Sequence, residues 1–405
     1  MTRYLTLSAA AAMVVLVACD SEKVVNAPAT SLNTGLFQSY VAIGNSITAG
    51  FQSGGILDST QRESFAAILA HQAGTRYAYP ALLAPGCPPP VDSFPSTTLG
   101  GPSAPPCSLR DPTKLSAILN NVAVPGAATI DPLSPTSVNS NALTTFILGG
   151  KTQVQKALDA SPTFVTIEIG NNDVLSAALH GTTVPVASIG SPGITPVDSV
   201  VTEYAAMMSA LLAGRPKLKG ALFGVFAVTA LPSLFPAESL YTNPVFNAEF
   251  TFAAGGGVTY IPNCTGSHAL ISIDILAFWQ AAGIPKVVSC QAGVPQEPYG
   301  DFFVLDTLKQ AQFQAAIAGY DAYISAKADS LGWVYFDPNP LLGQLKAAGA
   351  VPTLPNLASR TQTFGPFITL DGIHPSALAH EYIANKLIQS INTKYSVTID
   401  TVAHP

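Results

Sequence analysis

Tyr40-Val-Ala-Ile-Gly-Asn-Ser-Ile-Thr-Ala-Gly50 is the stretch on which the reading of this 405-residue chain turns. Tyr40 to Ile43 is a short apolar run that stops at once at Gly44, Asn45 and Ser46. That pattern suits a fully buried parallel strand that delivers a hydroxyl to the carboxyl edge of a sheet. In open α/β folds ligand and catalytic groups collect at that edge. Alone, the stretch is only a strand followed by a turn serine that caps a helix.

The chain around it alternates. Glu63 to His71 has helical spacing of apolar residues, with His71 as a helix-end histidine, and Ile118 to Val124 reads as extended. The latter stops at Pro125-Gly-Ala-Ala-Thr129, a small-residue turn. Thr144 to Ala160 reads as a helix, Thr163 to Gly170 as a β-branched strand, and Asp198 to Ala213 as an amphipathic helix capped by Asp198. Gly220 to Val228 reads as a buried strand, Asp306 to Ser330 as a long helix and Trp333 to Asp337 as a further strand. Pro375 to Ser390 is expected to be a helix with proline at its favoured first position. This order predicts a three-layer α/β/α sandwich with a mostly parallel sheet. Two stretches break the rhythm. Pro85 to Pro112 is crowded with proline and reads as a long surface loop, and 229–304, rich in Phe, Tyr, Pro and Gly, reads as an insertion capping one end of the sheet.

Composition narrows the class. The chain is 48% hydrophobic and only 10% charged, so Ser, Thr, Asn, Gln, Pro and Gly must cover much of its surface. With a formal net charge of −6 and scattered Lys and Arg, no basic patch points to nucleic acid. At the N-terminus Arg3 precedes an apolar run from Leu7 to Ala18, too short to span a bilayer and typical of a signal peptide. It ends in Leu16-Val-Ala-Cys19, which resembles the bacterial lipobox, in which the cysteine becomes the lipidated first residue of the mature protein. The remaining cysteines, Cys87, Cys107, Cys264 and Cys290, suit two disulfides in an exported chain, with nearest-neighbour pairing the simplest of three connectivities. A metal site competes weakly, since no pair has Cys-x-x-Cys spacing.

Chemistry concentrates at a few points. In Leu370-Asp-Gly-Ile-His-Pro375, Asp371 lies three residues before His374. The carboxylate can hold one imidazole nitrogen and leave the other to take a proton from a serine. Against this stands a helix-start acid beside a chance histidine. Gly126 and the cluster Gly170-Asn-Asn-Asp173 end predicted strands. An acyl-transfer site needs N–H donors aimed at a developing oxyanion, and a glycine N–H and the Asn172 carboxamide are of that kind. Singly, each is also an ordinary turn residue.

Taken in order, Gly44-Asn-Ser46, Gly126, Gly170-x-Asn172-Asp and Asp371-x-x-His374 resemble the four sequence blocks of the SGNH hydrolases, also called GDSL esterases and lipases. The resemblance implies a flavodoxin-like α/β/α fold, with Ser46 as nucleophile, His374 as general base and acid, and Asp371 orienting His374. It places the oxyanion hole at the N–H groups of Ser46 and Gly126 and the side chain of Asn172. It requires no metal or cofactor. One residue departs from the family, which usually has Gly-Asp-Ser where this chain has Asn45; asparagine still hydrogen-bonds locally but removes a charge beside the nucleophile. The expected organisation is a signal peptide over 1–18, an anchor cysteine and tether over 19–35, a hydrolase domain over 36–395 with the 229–304 insertion, and a tail over 396–405. The expected activity is hydrolysis of small-molecule or lipid carboxylic esters, with an acetylated polysaccharide as an alternative. The expected setting is a lipid-anchored monomer of the bacterial envelope, in the inner or outer membrane, facing periplasm or exterior. The rival reading is an envelope lipoprotein that binds glycan or lipid on a hydrolase scaffold.

Overall fold

The computed structural model describes residues 35–94, 109–290 and 302–403. Cys19, the segment before it and Cys107 therefore lie outside the described residues. In chain order the strands are β1 (Tyr40–Gly44), β2 (Phe164–Glu168), β3 (Lys219–Phe223), β4 (Leu234–Pro236), β5 (Val258–Tyr260), β6 (Leu270–Ser272), β7 (Lys286–Val288), β8 (Val304–Leu305) and β9 (Val334–Phe336).

The central sheet runs β1-β2-β3-β9, all parallel, with Tyr40 opposite Phe164 and Val165 opposite Gly220. On the free side of β1 the extended segment Asn120–Val124 pairs in parallel, through Ala42 N–H to Asn120 O at 2.7 Å and Val124 N–H to Gly44 O at 3.1 Å. The spatial order by position in the chain is thus second, first, third, fourth, fifth, the flavodoxin-like winding. Its direction reverses between β1 and β2, and the crevice above that point is where such folds bind ligands.

Alternation along each strand builds the layers. Val41, Ile43, Val165, Ile167 and Leu222 face one core, closed by Tyr204, Met207 and Leu211 of the helix Val197–Gly214 and by Phe313, Tyr320 and Ile324 of the helix Thr307–Leu331. Tyr40, Ala42, Phe164, Ala221 and Phe223 face the other, closed by Phe65 and Leu69 of the helix Phe65–Gln72 and by Ile383, Leu387 and Ile391 of the helix Ala377–Tyr395. Phe65 has no exposed surface, and its truncation to Ala would cost about 3–5 kcal/mol.

Several boundaries differ from the sequence expectation. Thr144–Ala160 is two helices, Ala142–Leu148 and Gln153–Asp159, because Gly149 and Gly150 adopt φ of 60° and 84° and Thr152 starts the second with a capping box to Gln155. Asp198 is not a cap: it sits in the first turn of a helix that begins at Val197. Pro375 is not the first helical residue, since Ser376 caps the last helix by accepting Ala379 N–H. β3 stops at Phe223 rather than Val228. Beyond it the N–H groups of Val225, Phe226 and Ala227 are taken by the side chains of Asp321, Asn171 and Asn339.

Between β3 and the helix Thr307–Leu331 the chain builds a separate small core. β4, β6 and β8 form an antiparallel sheet, β5 and β7 a parallel pair, and Phe235, Phe246, Phe250 and Trp279 pack together. Cys264 and Cys290 are joined by a disulfide. Cys87 is also disulfide-bonded. The ends of the proline-rich loop are pinned to each other by Leu83 N–H to Leu109 O and Asp111 N–H to Ala81 O.

Candidate active site

Four turns meet at the carboxyl edge of β1 and β2. The first follows β1. Gly44 admits no side chain, since a Cβ there would lie 2.4 Å from Thr48 Oγ1 and 2.7 Å from Glu168 O. Asn45 then caps the single helical turn Ser46–Ala49, its Oδ1 accepting Ile47 N–H at 2.9 Å. Ser46 is the first residue of that turn, so its N–H has no helical partner, and it donates to no other described group.

The second turn, 369–376, carries the histidine. His374 Nε2 lies 2.9 Å from Ser46 Oγ, and His374 Nδ1 lies 2.8 Å from Asp371 Oδ2. Asp371 is saturated with donors. Oδ2 also accepts Gly54 N–H at 2.7 Å, while Oδ1 accepts the N–H groups of Ile373 and His374 and the hydroxyl of Thr369. Burial alone would raise its pKa, but the facing imidazole and these bonds outweigh it and hold the carboxyl at about 2. Asp371 is therefore ionised at any neutral pH and fixes Nδ1–H of His374, leaving Nε2 toward the serine. The Phe51 ring packs 5.0 Å from the imidazole.

The third and fourth turns supply donors. Val124 O accepts Ala127 N–H at 3.1 Å with Pro125 and Gly126 between, and Gly126 has φ of 87°, a turn that needs glycine at this place. The Gly126 N–H donates to no other described group. Asn172 lies two residues after Gly170, whose φ is 119°, and its Nδ2 donates to Ala127 O at 2.9 Å, tying its turn to that of Gly126 and leaving one amide hydrogen unused. Asp173 fastens the same two turns by accepting Thr129 N–H and Oγ1–H, both at 3.0 Å.

The site opens into a cavity of about 930 Å³ whose lining includes Gly126, Asp371 and His374. Its wall is largely apolar, with Phe51, Leu143, Leu179, Phe278 and Phe303. Phe278 and Phe303 come from the stretch between β3 and the long helix. Asp274, also on the wall, has its pKa raised to about 6 by burial and by the charge of Asp371.

A model of the GDSL-like Lipase/Acylhydrolase family matches residues 40–387. The chain belongs to this family. It is thus a GDSL-type ester hydrolase, and the match begins at β1 and ends in the last helix. No curated protein matches this GDSL hydrolase. Among solved structures, the acetyl xylan esterase AlAXEase is 14% identical, with 87% of this chain and 99% of that chain covered, at a TM-score of 0.36. An extracellular lipase from Streptomyces rimosus is 15% identical, with 89% and 99% covered, at 0.33. A mutant acetylxylan esterase from Geobacillus stearothermophilus is 13% identical, with 90% and 96% covered, at 0.37.

All five site residues named from sequence lie on these four turns. Two neighbours were not singled out, Glu168 and Asn171. The signal for Glu168 was present, a lone acid inside the β-branched run Thr163 to Gly170.

Proposed function

We propose that the protein cleaves carboxylic esters through an acyl-enzyme. Ser46 Oγ attacks the ester carbonyl as His374 Nε2 takes its proton. The tetrahedral oxyanion is met by the N–H groups of Ser46 and Gly126 and the Asn172 amide. Collapse expels the alcohol, which takes the proton from His374, and a water deprotonated by His374 then releases the acid and restores Ser46. Asp371 stays ionised throughout, holding the imidazole and balancing its transient charge.

The observation that carries this reading is the continuous chain of bonds from Ser46 through His374 to Asp371. Correctly folded Ser46→Ala protein should lose p-nitrophenyl acetate hydrolysis and fluorophosphonate labelling; turnover retained by that variant sinks the assignment. A pure binding protein would not label even with Ser46 in place.

The apolar wall supports esters with an aliphatic acyl chain over acetylated polysaccharide. A p-nitrophenyl ester series run beside acetylated xylan decides between them, and a preference for xylan acetate overturns the first. We also place the protein, as a monomer, on the bacterial envelope through lipidated Cys19, supported by the Leu16-Val-Ala-Cys19 motif and by a disulfide that suits an oxidising compartment. Palmitate incorporation that survives Cys19→Ala would exclude this anchor.

A further inference from the structure

The wall of the cavity at the candidate active site is not apolar throughout. Asp274 precedes the helix Ile275–Ala282 in the stretch between β3 and the long helix, yet its carboxylate caps none of that helix's N–H groups. It lines the cavity instead, beside Ala277, Phe278 and Ala281 of the following turns, and accepts from no described group. His180 lies on the same wall. Its Nδ1 is 2.7 Å from Ser176 O, and a carbonyl only accepts, so Nδ1 carries the hydrogen and Nε2 of the neutral ring is an acceptor. No described group donates to that nitrogen either. Phe303 joins the two: its ring is centred 5.6 Å from the His180 ring and 4.9 Å from the Phe278 ring. Phe303 holds φ of 67°, a conformation that an aromatic residue seldom adopts and that persists only where its surroundings fix it. They do so here. Phe303 N–H donates to His180 O at 2.7 Å, Phe303 O accepts Ser272 N–H at 2.8 Å, and Gly181 leaves room, since a Cβ there would lie 2.8 Å from Phe303 N.

A carboxylate in these surroundings makes a demand on what enters. Water solvates Asp274 while the cavity is open to solvent. An aliphatic acyl chain laid along Phe278 and Phe303 displaces that water and strands the carboxylate, the situation in which a polar group is most costly. A chain that brings a hydroxyl to the same place gives Asp274 a hydrogen and keeps the apolar contacts of its other carbons. Burial and the charge of Asp371 raise the Asp274 pKa to about 6, so the group is largely ionised at neutral pH and a strong acceptor. No Lys or Arg stands among the described residues of the cavity wall, so the donor is left to the substrate. A hydroxyl meets the carboxylate at a smaller desolvation cost than an ammonium would against rings and alanines.

We propose that Asp274 is a specificity-determining residue of this cavity and that the substrates it selects are esters of hydroxylated acyl chains, with Asp274 accepting the chain's hydroxyl and Phe278 and Phe303 holding its carbons. His180 Nε2 offers a second acceptor beside the Phe303 ring. The proposal rests on the ester hydrolysis and the acyl-chain wall given under Proposed function. Those readings are checked separately, by fluorophosphonate labelling of the unaltered protein and by the p-nitrophenyl chain-length series, neither of which involves a hydroxylated chain.

The test measures kcat/KM near neutral pH for ethyl hexanoate and its 3-hydroxy, 6-hydroxy and 6-amino analogues. One of the hydroxy esters should be favoured over ethyl hexanoate by about 100-fold, as expected of a site whose polar group the plain chain leaves unpaired. Asp274→Leu should act in opposite directions on the two. The plain ester should gain about tenfold as the stranded charge is removed, and the favoured hydroxy ester should lose about tenfold, so that the preference vanishes. A purely structural role for Asp274, or an effect of its charge on the triad, moves both esters together and leaves their ratio unchanged. An unchanged ratio overturns the proposal, as does a preference below about threefold in the unaltered protein or a stronger preference for the amino ester. Should the Asp274→Leu protein fail to fold, Asp274→Asn keeps the shape and a neutral acceptor and should lower the preference by about tenfold; an unchanged preference in that variant counts against the proposal.

Discussion

The carboxyl edge of β1 and β2 and the stretch between β3 and the long helix meet at one cavity but are held by different forces. At the sheet edge nearly every polar atom has a directed partner: Asp371 takes five donors and Glu168 four. The other region is held by rings in contact, with Phe235 centred 5.1 Å from Phe246 and Phe250 6.1 Å from Trp279, and by the Cys264–Cys290 bridge. Directed bonds lose their value within a few tenths of an ångström, which suits groups proposed to meet a reacting carbonyl. Aromatic packing tolerates small shifts and suits a wall proposed to accept an acyl chain. Disturbance of the edge should therefore fall on kcat, and disturbance of the wall on KM and chain-length preference.

The largest expected effect lies at the edge. His374→Gln should cut kcat by at least about 10⁴-fold with little change in KM, measured on p-nitrophenyl acetate with near-UV circular dichroism as the check on folding. A loss below tenfold would end this division of labour. The aromatic region is tested by Cys264→Ser with Cys290→Ser. The bridge spans 26 residues, and its removal should cost roughly 3 kcal/mol. Limited proteolysis should then cut first between β3 and the long helix while Ser46 still labels with a fluorophosphonate; simultaneous loss of both would show the two regions to be one cooperative unit.

Asp371 gives the edge an acid dependence. Its pKa is about 2 in the folded chain and near 4 when unfolded, so on acidification the unfolded chain binds the proton first. The resulting stabilisation, about 2 kcal/mol, is full above the unfolded value and is lost as pH falls toward 2. Urea unfolding of Asp371→Asn beside the unaltered protein should show the stability gap closing over that window; a gap constant with pH refutes it. The smallest effect belongs to the wall. Phe278→Ala should shift KM for long-chain esters by about tenfold and leave acetate turnover unchanged.

Much of the sheet-and-helix frame was legible because its signals are local. Val41 and Ile43 alternate with Tyr40 and Ala42 between two cores, and Phe313, Tyr320 and Ile324 recur at helical spacing. The break at Gly149-Gly150 was visible as two glycines, yet helical apolar spacing on both sides outweighed them. The early end of β3 was not legible, because Asp321, Asn171 and Asn339, which divert its N–H groups, are distant in the chain. Nor were the strands around Phe235 and Ile271, which are short and meet only through long-range pairing.

Sequence by itself determined which residue types stand ready for ester chemistry and in what order: a serine after a strand, a glycine turn, an amide after a second strand, and an Asp-x-x-His near the end. It also displayed Asn45 as the departure from the family. Only the tertiary structure decided that Ser46 and His374, 328 residues apart, come within 2.9 Å, and that Asn45 is answered by Glu168. The reason is physical. Hydrophobic period is written in neighbours along the chain, whereas the partner of a buried polar atom is whatever the fold brings to it.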